Sequence, residues 1–515
     1  MLEASISAGA LSKENRWRRR TGRLLLSVLL AIWMATAYHH THKALQPGTR
    51  LEGPWYSIPT SDTTFIADVT TADAYGRPIL SHAIFDEVLR VIGSAREFLV
   101  LDYFLFNDAQ GVGSTDMPLR PLSSQLRDAL IARKRAEPRL RILFITDPIN
   151  DVYGGAPSPE LAKLRAAGID VVVTDLDKLR DSNYLYSSAW RLGVKWWSGD
   201  GTGDGWLPNP FDEGPSQVTA RSWARLVNFK ANHRKVIIGD DGQGNLAGIV
   251  SSANPHDASS AHSNVAMKIE GPALQALLAS EIAIARFSGW KGVLGAPPTI
   301  GKAPFDDKRV DPAGARSARV RVLTEGAIRD AVLDRIGAAT REEAIDIAMF
   351  YLSDRGVVEA LLAASHRGVP VRLILDPNKD AFGHVKSGVP NRPVASELVS
   401  ASDGAIRVRW YRTHGEQFHT KLVMVYGRDR VWLTLGSANL TRRNINDYNL
   451  EANVVVEMNR GSNMAAQVLQ YFDTLWSNRA PLGIEYTADF GVYADPSQVR
   501  YWQYRIMEVT GLSTF

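Results

Sequence analysis

The sequence contains no cysteine, which removes three classes of protein at once. A chain without thiols cannot be held by disulfide bonds, cannot use a thiolate nucleophile and cannot bind zinc through cysteine. The absence also fits an exported chain, which gains from having no thiols to mispair, although it does not prove export. Compact clusters of His, Asp and Glu with metal-ligand spacing are missing too, so we expect neither a metal nor another cofactor.

Net charge is scarce outside the first 23 residues. The whole chain carries +4, and the first 23 residues, with six basic and two acidic side chains, account for all of it. The rest is neutral and lacks the bulk electrostatics on which nonspecific nucleic-acid binding depends. We therefore expect no dedicated nucleic-acid binding, although a local basic patch stays open, and the oligomeric state is left unknown.

The long uncharged run at the N-terminus, Leu24 to Tyr38, follows a cluster of arginines. Its 15 residues are short for a membrane span, which needs about 17–25. Ala35 to Ala37 has the small-x-small form of a signal-peptidase site, so residues 1–45 are either a signal peptide or a membrane anchor. Both readings keep the arginines in the cytoplasm. We expect a membrane-associated or exported chain whose catalytic body is extracytoplasmic, in the periplasm or at the cell surface.

The two halves of the chain repeat each other. The apolar runs EFLVLDY at 97–103 and AIDIAMF at 344–350 are each followed by a helical pattern, a buried-strand run and an Asp-Pro pair, at 147–148 and 376–377. Further strands are expected at Ile169–Thr174 and Ile406–Trp410. Strands that alternate with helices predict an α/β fold with layered halves.

The boundaries of these halves follow from composition and length. The stretch from Gly295 to Arg316 is rich in Pro, Gly and Ala, which is typical of a linker. We expect one half at 46–300, the linker at 301–318 and the other half at 319–515.

The first half carries an insertion. The separation from Pro148 to His233 is 85 residues, whereas that from Pro377 to His419 is 42. The excess of roughly 43 residues, at about 185–227, is longer than ordinary loops. It contains five tryptophans, and both a tryptophan-pinned surface loop and a membrane-interfacial loop fit, since indole rings favour the headgroup level of a bilayer.

Each half contains the same pattern of polar residues. The first has NHRKVIIGD at 232–240 and SSAN at 251–254, and the second has HTKLVMVY at 419–426 and GSAN at 436–439. His and Lys two positions apart on a strand point to the same face, because side chains alternate with a period of two. The Ser-x-Asn segments offer hydrogen-bond donors to that face.

Two such halves facing each other place two imidazoles and two ammonium groups around one phosphate. One imidazole attacks phosphorus and the other, protonated, donates to the leaving oxygen. Lysines and amides stabilise the equatorial oxygens as charge builds. A lone histidine is usually structural, but two His-x-Lys pairs in corresponding places, each followed by Ser-x-Asn, indicate a phosphodiesterase.

These motifs resemble those of the phospholipase D superfamily, especially its cardiolipin synthase-like branch, from about Asp62 to the C-terminal region. The resemblance implies a pseudo-twofold phospholipase D-like fold, made of two α/β/α halves with mixed sheets, after an N-terminal hydrophobic helix. It also implies a phosphohistidine intermediate with His233 as the usual nucleophile and His419 as the general acid. The phosphate would then be held by Lys235, Lys421, Asn254 and Asn439, with Ser252 and Ser437 as further phosphate-binding residues.

Two carboxylates differ between the halves. The motif aspartate is Asp240 in the first half, whereas Tyr426 stands in its place in the second. A supporting glutamate is matched by Glu451, and Ala266 occupies the position assigned to it in the first half. We expect Asp240 and Glu451 to support the site. A contact of Glu451 with His419 would raise the basicity of that imidazole, which leaves the nucleophile open between the two histidines.

Three functions fit this sequence. The leading one is hydrolysis or phosphatidyl transfer at a phospholipid phosphodiester, with the membrane surface as partner and the headgroup and acceptor left open. The second is a nuclease, since the same chemistry cleaves nucleic-acid backbones. The third is a non-catalytic envelope protein on the same scaffold, to which Tyr426 lends some support.

Overall fold

The computed structural model describes residues 2–73, 75–109, 117–197, 205–211, 217–294, 316–381, 384–479 and 484–515. The α-helices are α1 (Leu2–His42), α2 (Ala83–Ser94), α3 (Leu122–Ala136), α4 (Pro159–Ala166), α5 (Tyr184–Ala189), α6 (Lys195–Trp197), α7 (Ala220–Leu226), α8 (Leu274–Phe287), α9 (Gly326–Ala338), α10 (Arg355–His366), α11 (Asn391–Ala401), α12 (Arg442–Ile445), α13 (Asn463–Ser477) and α14 (Gln498–Thr510). The strands are β1 (Tyr56–Pro59), β2 (Thr63–Asp68), β3 (Thr70–Ala72), β4 (Pro78–Leu80), β5 (Phe98–Tyr103), β6 (Arg141–Thr146), β7 (Asp170–Val173), β8 (Leu207–Pro208), β9 (Gln217–Val218), β10 (Lys235–Asp240), β11 (Leu246–Ser251), β12 (Asn264–Glu270), β13 (Ser317–Thr324), β14 (Ala344–Met349), β15 (Val371–Leu375), β16 (Asp380–Ala381), β17 (His384–Val385), β18 (Ile406–Tyr411), β19 (Lys421–Tyr426), β20 (Arg430–Gly436), β21 (Ala452–Asn459) and β22 (Thr487–Asp489).

Two large mixed sheets have the same internal order of strands. The seven-stranded sheet runs β2-β12-β11-β10-β5-β6-β7, and the nine-stranded sheet contains the matching series β13-β21-β20-β19-β14-β15-β18. In both, the last three strands of the series are parallel and the others antiparallel. The predicted α/β fold with two similar halves is therefore confirmed. Strand β1 adds to the nine-stranded sheet by pairing with β13, so the N-terminal segment crosses from one sheet to the other.

The two sheets face each other across a shared core. Val236 and Ile238 of β10 belong to the same buried cluster as Leu433 and Leu435 of β20. Burying each such side chain contributes about 1.5–3 kcal/mol relative to exposure. The opposite faces of the sheets are covered by α2, α3 and α4 in one half and by α9, α10 and α11 in the other. The histidine motifs therefore lie on strands that are fixed on both faces.

The N-terminal apolar run is part of a longer helix. Residues Trp17–His42 of α1 are long and apolar enough to cross a membrane, and nearly all of this stretch is exposed. The last turns of the helix contact the first half at the start of the insertion and just before it. The Trp33 indole donates to the carbonyl of Leu185 at 3.2 Å, and the Asp181 backbone amide donates to the carbonyl of His40 at 3.0 Å.

The insertion folds onto this end of α1, where its described part contains α5, α6, α7 and the β8-β9 pair. Trp190 is buried, whereas Trp196 and Trp197 are 74% and 89% exposed. Residues 198–204 and 212–216 of the insertion lie outside the described residues, as does most of the predicted linker. Strand β13 begins at Ser317, within the last residues assigned to that linker. The division at 46–300 and 319–515 stays a prediction.

Candidate active site

Both motif strands begin at their lysine. Strand β10 starts at Lys235 and β19 at Lys421, so each histidine lies just before its strand, whereas the spacing predicted both side chains on the strand. Each lysine ammonium folds back to donate to the carbonyl of its histidine, at 2.6 Å for Lys235 and 2.9 Å for Lys421. Each ammonium group is therefore held next to the backbone of its histidine.

A phenylalanine in each half holds its pair. The Phe104 ring lies 4.9 Å from the His233 ring and 5.2 Å from the Lys235 ammonium. In the other half, Phe350 lies 5.0 Å from the His419 ring and 5.1 Å from the ammonium of Lys421. Sequence reasoning missed both rings. The signal was available, because each phenylalanine follows the first strand of its repeat, β5 or β14.

The backbone before each histidine is fixed by the aspartate of the Asp-Pro pair. The carboxylate of Asp147 accepts the backbone amide of Asn232 at 2.7 Å, and that of Asp376 accepts the amide of Phe418 at 2.7 Å. Burial raises the pKa of each of these aspartates to about 7, against the lowering effect of their backbone hydrogen bonds. These two interactions place the histidines in equivalent positions.

Glu451 contacts His233, not His419. The Nδ1 atom of His233 lies 2.9 Å from Oε1 and 3.1 Å from Oε2 of Glu451. The expectation that this carboxylate supports the histidine of its own half is therefore wrong. The physical reason is the way the halves meet, because Leu450 pairs with Asn232 across the interface and accepts the backbone amide of His233 at 2.9 Å. His233 and the carboxylate that contacts it thus come from different halves.

Asn264 occupies the equivalent position behind His419. Its Oδ1 lies 3.1 Å from Nδ1 of His419, and Ser263 pairs with Phe418 as Leu450 pairs with Asn232. Asn264, rather than Ala266, is therefore the counterpart of Glu451. The motif of the second half contains two additional residues between its serine and this position, which displaced the match made by counting from the serine.

The two serines orient these side chains. The hydroxyl of Ser252 donates to Oδ1 of Asn264 at 2.9 Å, and the hydroxyl of Ser437 donates to the carboxylate of Glu451. Both serines are fully buried. In this geometry each serine hydroxyl holds the side chain that contacts a histidine. A direct contact of the serines with phosphate stays a prediction.

Asn254 and Asn439 are the nearer candidates for a phosphate contact. Oδ1 of Asn254 accepts the backbone amide of Leu105 at 3.2 Å, which directs its NH2 group away from that amide. The side-chain oxygen of Asn439 is buried and finds no hydrogen-bond partner within the described part of the chain. Both side chains retain hydrogen-bonding capacity for a ligand.

The motif position that is Asp240 in the first half and Tyr426 in the second lies away from the histidines. Asp240 ends β10 and accepts the backbone amides of Arg96, Glu97 and Phe98 at 2.8–3.1 Å, so it supports the sheet. The hydroxyl of Tyr426 donates to Asp346 at 2.8 Å at the far end of β19. The tyrosine therefore changes packing at the end of an interior strand and leaves the histidine pairs intact.

The imidazoles are buried among positive charges. Burial lowers the pKa of His233 to about 4, with Glu451 opposing this effect and Lys235 adding to it. Burial, followed by the charge of Lys421, holds the pKa of His419 well below its usual value. Burial also lowers the pKa of Lys235 to about 7 and that of Lys421 well below its ordinary value. A phosphate anion among these groups would raise all four pKa values, since opposite charge favours the protonated forms.

Glu451 differs from these four groups, because its lowered pKa favours the charged form. Burial by itself would raise its pKa, but the adjacent His233 and Lys235 bring the pKa below its ordinary value. An ionised Glu451 accepts the Nδ1 proton of His233 and leaves the Nε2 lone pair free. The geometry suits a nucleophilic imidazole at His233 and a proton donor at His419, where the partner is a neutral amide. This is the arrangement of a phosphoryl- or phosphatidyl-transfer site that is assembled from two half-sites.

Comparison with known proteins gives a family match over part of the chain and a structural neighbour over most of it. Residues 332–476 match the family model described as "Cardiolipin synthase, PLD-like domain". The phosphatidylserine synthase of Haemophilus influenzae Rd KW20 shares the fold, with 12% identity and a TM-score of 0.52 over 90% of this chain and 96% of that chain. The phospholipase D family member Nuc of Salmonella typhimurium is 24% identical over 31% of this chain and 95% of that chain, with a TM-score of 0.25. No curated protein matches the chain.

The predicted resemblance to the phospholipase D superfamily, cardiolipin synthase-like branch, is confirmed. The family match lies within the second half and includes His419, Lys421 and Glu451. This match supports a function among the phosphodiesterases and phosphatidyltransferases.

Proposed function

We propose that the chain is a phospholipase D-type phosphodiesterase or phosphatidyltransferase that acts on phospholipids through a phosphohistidine at His233. The observation that carries the proposal is the contact of His233 with Glu451, set against the contact of His419 with the neutral amide of Asn264. A carboxylate stabilises the positive charge that an imidazole gains when it forms a bond to phosphorus. An amide leaves the imidazolium more acidic and thus suits a proton donor.

The reaction has two displacements. Nε2 of His233 attacks phosphorus, the bond from phosphorus to the headgroup oxygen breaks, and that oxygen receives the proton of His419. Water or an alcohol then attacks the phosphorus while His419 takes its proton, and the phosphorus–nitrogen bond breaks. Lys235, Lys421, Asn254 and Asn439 stabilise the charge on the equatorial oxygens in both steps.

Phospholipid is the substrate class that the rest of the chain favours. The exposed apolar length of α1 is suited to a bilayer, and the exposed Trp196 and Trp197 lie in the insertion that docks on its C-terminal end. Tryptophan concentrates at the interface between membrane and water. The enzyme would therefore meet its substrate at the membrane surface.

We place the catalytic body outside the cytoplasm and read α1 as an uncleaved anchor. The contact of Trp33 with Leu185 in the insertion supports retention of the helix, since cleavage after Ala37 would remove Trp33 from the body. The arginines before the apolar run support the orientation. A reporter fused after residue 60 should be active only outside the cytoplasm, and the full chain from membranes should retain its N-terminus.

The test of the proposal is capture of the covalent intermediate. Purified protein is mixed with phosphatidylglycerol labelled in its phosphate and quenched in acid. We expect label on protein for the wild type and for His419→Ala, which lacks both the acid that forms the adduct and the base that resolves it, and none for His233→Ala. Label on His233→Ala, or on none of the three proteins, would contradict the assigned nucleophile.

A parallel assay separates the substrate classes. Phosphatidylglycerol vesicles and single-stranded DNA are offered to the same preparation. We expect release of headgroup from the lipid and no cleavage of DNA. Cleavage of DNA alone would favour the nuclease, and no turnover of either with a wild-type fold would favour the non-catalytic envelope protein.

A further inference from the structure

A cavity of about 660 Å³ lies between the C-terminal turns of α1 and helix α14. On α1 its wall contains Trp33, Met34 and Ala37, and on α14 it contains Arg505 and Val509. The volume lies within the range of about 300–1,000 Å³ that is typical of small-molecule sites. The cavity thus combines an apolar wall with a positive one.

Two arginines at this cavity have neutral partners. Arg505 donates to the hydroxyl of Tyr501 at 2.7 Å, and Arg442 donates to the hydroxyl of Tyr448 at 2.7 Å. Neither forms an ion pair with a carboxylate in the part of the chain that the structure describes. Both residues are partly exposed, and the planar fork of a guanidinium group matches the geometry of a phosphate.

The carboxylates at the cavity are engaged elsewhere. Glu508 accepts the backbone amide of Arg442 at 2.7 Å and the hydroxyl of Ser353 at 2.9 Å, and burial raises its pKa to about 7. Asp354 caps α10 and accepts the side-chain amide of Asn446 at 2.7 Å.

Two further arginines at the cavity wall are paired with carboxylates. Arg329 lies 3.5 Å from Asp354, and Arg355 pairs with Glu359 and Glu397. The positive charge available to a ligand therefore comes from Arg442 and Arg505.

The cavity lies where a lipid headgroup is expected. Trp33 and Tyr38, which both line it, lie in the last part of the apolar run, where aromatic side chains mark the membrane interface. Helix α14 exposes an apolar stripe at helical spacing, made of Val499, Trp502, Ile506 and Val509. The stripe reaches the cavity at Val509. Two apolar helix surfaces thus border one pair of arginines.

We propose that this cavity binds one anionic phospholipid, with its phosphate between Arg442 and Arg505 and its acyl chains along α1 and the stripe of α14. The inference rests on the membrane position of α1 and not on catalysis at His233. The apolar walls favour a lipid over a soluble phosphate ester, since only a lipid covers the exposed stripe.

The test counts lipids on the full-length protein in detergent. All variants carry His233→Ala, so that no lipid is consumed, and native mass spectrometry measures how many phosphatidylglycerol molecules remain bound as the lipid is titrated. Arg505→Gln should lose one bound lipid or weaken its affinity by about tenfold. The matched control is Arg500→Gln, which makes the same change on the same helix away from the cavity and should bind as the parent does.

A second variant tests the apolar wall without changing charge. Met34→Trp fills space at a half-exposed position and should also lose the lipid, while thermal unfolding of both variants stays that of the parent. Phosphatidylcholine should bind more weakly than phosphatidylglycerol, and excess glycerol 3-phosphate should displace neither. Equal binding by the two arginine variants, or displacement by glycerol 3-phosphate, would overturn the proposal. Failure of turnover in the wild type would leave this result unaffected.

Discussion

The charge of Glu451 distinguishes the two histidines. Glu451→Gln keeps the size and a carbonyl acceptor for Nδ1 of His233 but removes the negative charge. We expect kcat to fall on the order of 10²- to 10⁴-fold, as when the carboxylate behind another catalytic imidazole is neutralised. Steady-state headgroup release measures this, with circular dichroism as the check of the fold. A rate near that of the wild type would mean that the carboxylate only fills space.

The amide of Asn264 offers the reverse experiment. Asn264→Asp adds a carboxylate behind His419, which should raise the pKa of that imidazole and keep it protonated to higher pH. The alkaline limb of kcat/KM should therefore move to higher pH, while kcat below that limb should fall because the acid is weaker. Asn264→Ser, which keeps a neutral acceptor, is the control. A limb that stays in place would show that His419 is not the group that titrates there.

Some of these residues were predictable and others were not. The pairs His233/Lys235 and His419/Lys421 follow from a repeated pattern that the sequence displays directly. The partner of each histidine does not, because Glu451 and Asn264 reach across the interface between the halves. Local spacing contains no information on which strand ends meet when two sheets face each other, and counting from the serine selected Ala266.

At the scale of elements, the strands that the repeat predicts are present, whereas an edge strand outside the repeat was not predicted. The expected strand at Ile406–Trp410 is β18, and that at Ile169–Thr174 is β7, each within a residue at either end. The pairing of β1 with β13 was not predicted, since a short edge strand of four residues has no repeat partner and gains its place from tertiary contacts.

The tryptophan insertion gives a prediction of its own. Trp196→Ser combined with Trp197→Ser removes two exposed indoles while leaving the buried Trp190 that anchors the segment. We expect KM for phosphatidylglycerol in vesicles to rise, on the order of fivefold or more, because indole insertion helps hold the protein at the interface. KM for a short-chain soluble phospholipid should be unchanged. An equal rise for both substrates would place these side chains at the substrate pocket instead.

At the scale of the whole molecule, the two halves make one site rather than two. The carboxylate behind His233 comes from the second half, the amide behind His419 comes from the first, and both interactions depend on the same face-to-face packing. A change that separates the sheets should therefore disable nucleophile and acid together. Both copies of the repeat are therefore needed in one molecule, since either half alone lacks the side chain that orients its own histidine.

The shared site also determines how the intermediate is resolved. After the headgroup leaves, phosphorus is bound to His233 and His419 has given up its proton, so any hydroxyl that reaches the site can be activated by the same base. Adding ethanol during turnover of phosphatidylglycerol should divert product from phosphatidic acid to phosphatidylethanol, in proportion to ethanol concentration. Total glycerol release should hardly change if the first displacement limits the rate. Chromatography of the lipid products, with glycerol release measured in the same samples, gives both quantities.

His419→Ala is the matched variant for this experiment, because it removes the acid of the first step and the base of the second. It should slow formation of phosphatidic acid and phosphatidylethanol together and leave their ratio close to that of the wild type, since water and ethanol compete for one adduct. A ratio that depends on the headgroup released would contradict a common phosphohistidine. Failure to form phosphatidylethanol at any ethanol concentration, with phosphatidic acid still produced, would point to direct attack by water on the lipid.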